Sequence, residues 1–298
     1  MKLSDWLIII GLGVIWGGSF LFNAILIREL GPLSVSLGRV GVAAIGCWAY
    51  LLATKVKLPT DWRIYAGLTL LGLINFSVPF ALFPLAQNYV NVGIAGIVNA
   101  MTPIMVVIVS HFWPGGEKAN PAKSVGVAIA FSGVALIALP ALQRGGQSEI
   151  WAIGLMMLAT LMYGIALNYT RSFKRLNPSF IATIALSGAT IALVPVVLLT
   201  EGVPHIQTAQ SWGALLYIGL IATTFTFLVM YRILERVGAT NMSTSTFIAP
   251  ISAIFLGYIV LNEQIQTVHI LGMLAIFIGI LAIDGRLYRA LRPNKLPT

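Results

Sequence analysis

Ten apolar runs follow one another along this chain with only short connections between them. They cover about 5–27, 33–54, 62–87, 91–113, 122–142, 150–171, 179–200, 211–234, 238–261 and 267–285. Roughly 20 apolar residues rising 1.5 Å each cross the ~30 Å hydrocarbon core of a bilayer as a helix. The sequence therefore predicts an all-α, polytopic membrane protein with ten transmembrane helices, and it leaves no segment for a soluble domain. Turn signals punctuate the runs, among them Gly31-Pro32, Leu58-Pro59, Pro114-Gly115-Gly116, Gly145-Gly146 and Asn177-Pro178. Only 9% of residues are charged and 58% are hydrophobic, against ~25% charged in a soluble domain. That is too little charge to cover a water-facing globule and too much apolar bulk for a disordered chain.

Charge orients the helices. With the N-terminus inside, the inner face receives Lys2, Lys55, Lys57, Arg63, Lys118, Lys123, Arg171, Lys174, Arg175, Arg232, Arg236, Arg286, Arg289, Arg292 and Lys295, and the outer face only Arg28 and Arg144. A missed span would scramble this asymmetry, so the count of ten and the cytoplasmic placement of both termini support each other. The net charge of +9 thus belongs to cytoplasmic loops, not to a nucleic-acid surface, and no nucleic-acid partner is expected. The first run is too long for a secretory h-region and no A-x-A-like site follows it, so it reads as a retained helix. Six tryptophans (Trp6, Trp48, Trp62, Trp113, Trp151, Trp212) fall near helix ends, where an amphipathic ring prefers the interface. Cys47 has no second cysteine with which to form a disulfide.

The chain repeats itself. Pro103 matches Pro250 and Trp16-Gly17 matches Tyr163-Gly164 at an offset of 147, while Gly126, Gly133 and Pro32 match Gly272, Gly279 and Pro178 at 146. The halves, 1–146 and 147–298, read as copies of five helices each. Because five is odd, the second copy enters the membrane upside down. Inverted repeats are a transporter device, in which two related bundles rock about a midplane site.

At membrane depth there is no carboxylate and no histidine, and Arg39 is the one ionisable group. A buried ion costs ~3 kcal/mol or more, so relays of protons or ions normally show themselves as deep acids; a carboxylate relay is not expected here. Arg39 either snorkels outward, gates, or meets a substrate carboxylate. What the middle does hold is neutral polar, aromatic or helix-disrupting: Trp16, Ser19, Asn23, Asn75, Pro79, Phe83, Asn99, Thr102, Pro103, Tyr163, Phe225, Thr246, Phe247 and Pro250, with Ser243 beside them. A single Ser or Thr in a membrane helix often bonds only to the preceding turn, and glycines often serve packing. Asn is costlier to bury unpaired, Trp16 is too deep for the interfacial belt, and each mid-helix Pro frees a carbonyl that must face protein or a wet cavity. Taken together, these residues predict a central uncharged cavity lined by spans 1, 3, 4, 6, 8 and 9. It would suit a small net-neutral solute better than a phosphorylated one, which calls for clustered Lys and Arg.

The start Trp16-Gly17-Gly18-Ser19-Phe20, Pro32 followed by Arg39, the Pro103 helix, the loop acid Glu117 and Gly126-x6-Gly133, echoed around Pro250, Glu263, Gly272 and Gly279, form a pattern. It resembles the EamA-type branch of the drug/metabolite transporter superfamily over essentially the whole chain. The resemblance implies a prokaryotic inner-membrane carrier with its site between the halves, exporting amino acids or other metabolites, and most like exporters of neutral and aromatic amino acids. Ala185 stands where a second Arg39 would, which argues against a paired gate. Nucleoside or sugar carriage remains an alternative substrate class. An enzyme is disfavoured because no H-E-x-x-H, deep carboxylate pair or mid-span His accompanies the serines, and a channel because charge rings or carbonyl filters do not fit a two-fold inverted repeat. No cofactor or metal is expected, since Walker A and dinucleotide spacings are missing. The expected partners are a small-molecule substrate and the lipid bilayer, with the protein acting as a monomer.

Overall fold

The computed structural model describes residues 2–242 and 244–284. Ser243 and the basic residues Arg286, Arg289, Arg292 and Lys295 lie outside the described residues. The chain forms α1 (Leu3–Leu26), α2 (Pro32–Ala53), α3 (Trp62–Ala86), α4 (Val92–Phe112), α5 (Pro121–Arg144), α6 (Gln147–Thr170) and α7 (Pro178–Thr200). It continues through α8 (Ala209–Leu216 running on through Thr226–Val237), α9 (Ser245–Leu261, preceded by the turn Ala239–Met242) and α10 (Thr267–Ile283). Eight of these are long and apolar enough to cross a membrane, and α9 and α10 are shorter apolar helices. In hydrocarbon only such closed hydrogen-bond ladders are tolerated.

Helix starts follow the sequence signals. Asn91, Asn120 and Asn177 each accept from a backbone N–H of the first turn of α4, α5 and α7, and Asp61 does the same for α3. Pro occupies the first turn of α2, α5 and α7, where its missing N–H costs nothing. Gly145, at φ +69°, ends α5 in the left-handed conformation that glycine adopts freely. Trp6, Trp62, Trp151 and Trp212 are exposed at helix ends.

The repeat is visible as paired close approaches. A methyl added to Gly126 would lie 2.7 Å from the Gly279 carbonyl, and one added to Gly133 would lie 2.6 Å from that of Gly272. Gly126 and Gly133 correspond to Gly272 and Gly279, so each glycine meets the counterpart of the other. That reciprocity is the mark of a two-fold related contact, here between antiparallel α5 and α10. Two further seams repeat it. Gly17 of α1 packs onto Ala249 and Ser252 of α9, and Gly164 of α6 packs onto Met105 and Val106 of α4. Gly72 of α3 meets the Ala185 carbonyl of α7, as Gly219 of α8 meets the Arg39 carbonyl of α2. The fold is thus two inverted five-helix repeats, and their seams need small residues because helix backbones approach closely.

Two irregularities depart from ten plain spans. Residues Leu73–Ser77 of α3 and Tyr217–Phe225 of α8 are π-helical, at corresponding places in the two halves. A π turn inserts an extra residue, shifts the register of everything after it and is frequent at functional sites. Pro103 does not sit inside a continuous helix as the pairing with Pro250 suggested. Instead α4 breaks at Ala100–Met101, so Pro103 opens the second segment (Thr102–Phe112), while Pro250 stays inside α9.

Candidate functional site

The π segments and the α4 break surround a cavity of about 270 Å³ between the halves. For orientation, the terminal end of the molecule is where α1 begins and α10 finishes, and the far end is its opposite. The cavity brings together Trp16, Ser19 and Asn23 of α1, Asn75 and Phe83 of α3, Asn99 and Thr102 of α4, Tyr163 of α6, Thr246 of α9, and Arg39 of α2. Among the described residues its lining holds no carboxylate.

Five of the expected residues lie elsewhere. Phe225 is 49% exposed on the outer surface of α8. The π turn carries Ala222, Thr223 and Thr224 inward and leaves Phe225 outside, so Phe227 is the aromatic that reaches the cavity. Phe247 packs edge-on against Phe277, with ring centres 4.9 Å apart. Pro79 is buried where α3 resumes regular helix, Pro103 starts the second α4 segment, and Pro250 backs the close approach of Gly96. These prolines shape the wall without being part of it. Conversely, Phe20, Phe76, Phe80, Leu167 and Met230 complete the lining. Apolar residues among many apolar residues give no sequence signal; only the register change marks Phe76 and Phe227.

The polar groups are set in an apolar frame. Trp16 donates Nε1–H to Thr226 Oγ1 at 3.2 Å, tying α1 to α8. Ser19 Oγ and Asn23 Oδ1 are buried and without a hydrogen-bond partner among the described residues, which in a protein interior calls for a ligand or water. Arg39 is 8% exposed. It donates Nε–H to Thr223 Oγ1 at 3.1 Å and lays its guanidinium over the Phe80 ring at 3.8 Å. It makes no ion pair among the described residues. The cation–π contact and the Thr223 bond compensate part of the burial cost, and the charge does not snorkel out.

Toward the far end aromatic rings pack against one another. Phe20 meets Phe83 edge-on at 5.4 Å, and Phe22 lies 4.1 Å from Tyr217, whose hydroxyl donates to the Ile15 carbonyl. Beyond them, three loop carboxylates each cap a helix of the opposite half. Glu29 accepts from Gln207 N–H, Thr208 N–H, the Thr208 hydroxyl and the Ser211 hydroxyl at the start of α8. Glu201 accepts from Leu33 and Ser34 N–H of α2 at 3.0 and 2.8 Å. Glu263 accepts from Val92 and Gly93 N–H of α4. A carboxylate is favoured at the positive end of a helix and satisfies its orphan donors. The Thr208 hydroxyl and the Gln207 N–H hold the Glu29 carboxyl down at about 2, whereas burial pushes that of Glu263 up despite its two N–H bonds. At the terminal end the cross-half polar contacts among the described residues include the Asp5–Arg236 ion pair at 2.6 Å, Arg232 beside Tyr50, and Arg171, which donates to the Ser110 hydroxyl at 3.5 Å. There the cavity lining is Leu167, Met230 and Thr246.

Comparison with known proteins agrees with this architecture. The family model described as the EamA-like transporter family matches residues 4–139 and again 150–283, once per half. The uncharacterized transporter YoaV of Bacillus subtilis is 27% identical over 91% of this chain and 94% of its own. Protein PagO of Salmonella typhimurium is 25% identical over 94% and 92%, and protein PecM of Dickeya dadantii 23% over 91% and 89%. One solved crystal structure of a protein superposes with a TM-score of 0.66 over 98% of this chain and 99% of its own at 18% identity, a likeness of fold alone.

Proposed function

The chain belongs to the EamA-like transporter family of the drug/metabolite transporter superfamily, and from that premise we propose that it exports a small net-neutral metabolite by alternating access around the central cavity. Amino acids, aromatic ones included, are the leading substrates. The rocking units are the halves 1–146 and 147–298. Both termini face the cytoplasm, the membrane is a prokaryotic inner membrane, and the protein works as a monomer. In this reading Trp16, Phe83, Tyr163 and Phe227 hold an apolar or aromatic moiety. Ser19, Asn23, Asn75, Asn99, Thr102 and Thr246 offer hydrogen bonds, and Arg39 serves as gate or as partner of a substrate carboxylate.

One observation carries the reading: a cavity between inverted halves that are bridged at the far end by three loop carboxylates, and among the described residues more sparsely at the terminal end, by Asp5–Arg236, Arg232–Tyr50 and Arg171–Ser110. Such a structure is one of two alternating states, open toward the cytoplasm and shut outside. The absence of a carboxylate in the lining favours facilitated exchange over a proton relay. The test is counterflow of labelled neutral amino acids, then nucleosides and sugars, into liposomes holding the purified protein. Trp16→Ala and Asn99→Ala should abolish saturable exchange of the true substrate while leaving the thermal midpoint within a few degrees. Normal exchange by both variants overturns the cavity assignment, and non-saturating flux points to a channel instead.

A further inference from the structure

A second cavity, of about 160 Å³, lies at the far end away from the central one, beneath the Gly145–Gly146 turn that joins the halves. Its floor is apolar, formed by Ile94, Ile137 and Ile153. Its polar lining is Tyr89, Asn91, Arg144, Glu149, Gln264, Gln266 and His269. Arg144 donates to Glu149 Oε2 at 3.1 Å, and both side chains are partly exposed. His269 is 6% exposed and its Nδ1 has no hydrogen-bond partner among the described residues, an orphan that a packed interior does not leave without a reason.

The surroundings say where the opening lies. Leu142, Trp151, Ile270 and Leu271, on the three helices around the cavity, are all exposed apolar residues, and Trp151 stacks edge-on with Tyr89 of the lining. Exposed aliphatic side chains with an amphipathic aromatic pair at helix ends mark the level where acyl chains give way to head groups. The cavity therefore faces lipid at head-group depth. Its charge is balanced, since Arg144 and Glu149 neutralise each other. A lone anion would meet Glu149, and a lone cation Arg144, at little net gain. A ligand carrying both signs can satisfy both groups, with its anion on Arg144 and its ammonium on Glu149.

We propose that this cavity binds the phosphate–ammonium head group of a zwitterionic phospholipid from the far-end leaflet. Gln264, Gln266 and His269 supply further hydrogen bonds, and the isoleucine floor takes the glycerol and upper chains. The site touches α5, α6 and the approach to α10, and so sits on the joint between the halves. This reading does not depend on which solute the central cavity carries.

The test uses the full chain in detergent, titrated with phosphatidylethanolamine, phosphatidylglycerol and phosphatidylcholine, with bound lipid read by native mass spectrometry. Phosphatidylethanolamine should bind about tenfold more tightly than phosphatidylglycerol, which has no cation for Glu149, and than phosphatidylcholine, whose methylated nitrogen has no N–H to donate. Arg144→Ala and Glu149→Ala should each erase that preference; both positions reach the surface, so the fold tolerates them. The exchanged pair Arg144→Glu with Glu149→Arg keeps both signs and should keep the preference. Equal retention of the three lipids, or a preference intact in both single variants, overturns the proposal. So does soluble phosphoethanolamine binding the delipidated protein as tightly as the whole lipid does.

Discussion

Glu117 and Glu263 stand at corresponding places in the two halves, each in the loop after the helix that carries the repeated proline, yet they make different contacts. Glu117 pairs with Lys123 inside its own half and is mostly exposed. Glu263 turns across to the first turn of α4 in the other half. The cause lies seven and six residues upstream. Ser110 uses its hydroxyl to accept the Glu117 N–H, whereas its counterpart Gly257 has no side chain, and a methyl there would lie 2.4 Å from Glu263 Oε2. Glycine leaves room for the acid to fold back and reach its partner. The α2–α8 and α3–α7 seams teach the same lesson. Their backbones approach at equivalent points, but Arg39 fills the first where Ala185 leaves the second bare. An inverted repeat with identical halves would give its two rocked states equal energy. The backbone of this protein keeps the symmetry and its polar side chains break it, and three of its loop carboxylates bridge the halves at the far end.

Breaking these bridges outright should have the largest effect. In a cysteine-free Cys47→Ser background, the triple variant Glu29→Ala, Glu201→Ala, Glu263→Ala removes all three bridging acceptors at once. That should raise far-side labelling of a cysteine placed at Asn23 by about 100-fold. Unchanged labelling would show that the bridging carboxylates do not hold the end shut.

Single variants sharpen the comparison. Glu29→Gln should raise labelling several-fold, and Glu263→Gln less, because the half-buried Glu263 carboxyl already resists ionisation and a neutral amide oxygen can still accept from Val92. The two should also differ with pH. Glu29 titrates at about 2 against an ordinary 4.5, so the stability it lends is complete above pH 4.5 and is lost as the pH falls from there toward 2. The gap in thermal midpoint between wild type and Glu29→Gln should therefore be constant at neutral pH and close on acidification; a gap that persists at pH 2 would refute this assignment. Gly257→Ala should displace Glu263 and match Glu263→Gln in labelling. Glu117→Gln should do least, since an exposed ion pair is worth under about 1 kcal/mol; a change in labelling like that of Glu263→Gln would mean the two loops are equivalent after all.

Much of the architecture was legible in the sequence because lipid imposes it. Runs of twenty apolar residues, Asn and Pro at helix starts, and glycines at matching offsets each have one physical reading. The cavity was legible where a residue is expensive to bury, as with Trp16, Asn23, Asn99 and Arg39. It was not legible where the clue was geometric. The π segments moved Phe225 to the outside and Phe227 to the inside, and no propensity signals an extra residue in a turn. The prolines Pro79, Pro103 and Pro250, expected in the lining because a mid-helix Pro frees backbone polarity, stand outside the residues that line the cavity. The carboxylates Glu29, Glu201 and Glu263 looked like ordinary loop acids, since a contact across 170 residues or so leaves no local trace.

A reversible bond across the far end tests the whole account most directly. Gly31 and Glu201 lie in contact across the halves, so Gly31→Cys with Glu201→Cys in the Cys47→Ser background can be oxidised in liposomes and then reduced. If the two modules must part there in every cycle, oxidation stops solute exchange and reductant restores it. Undiminished exchange through the oxidised protein would contradict the account.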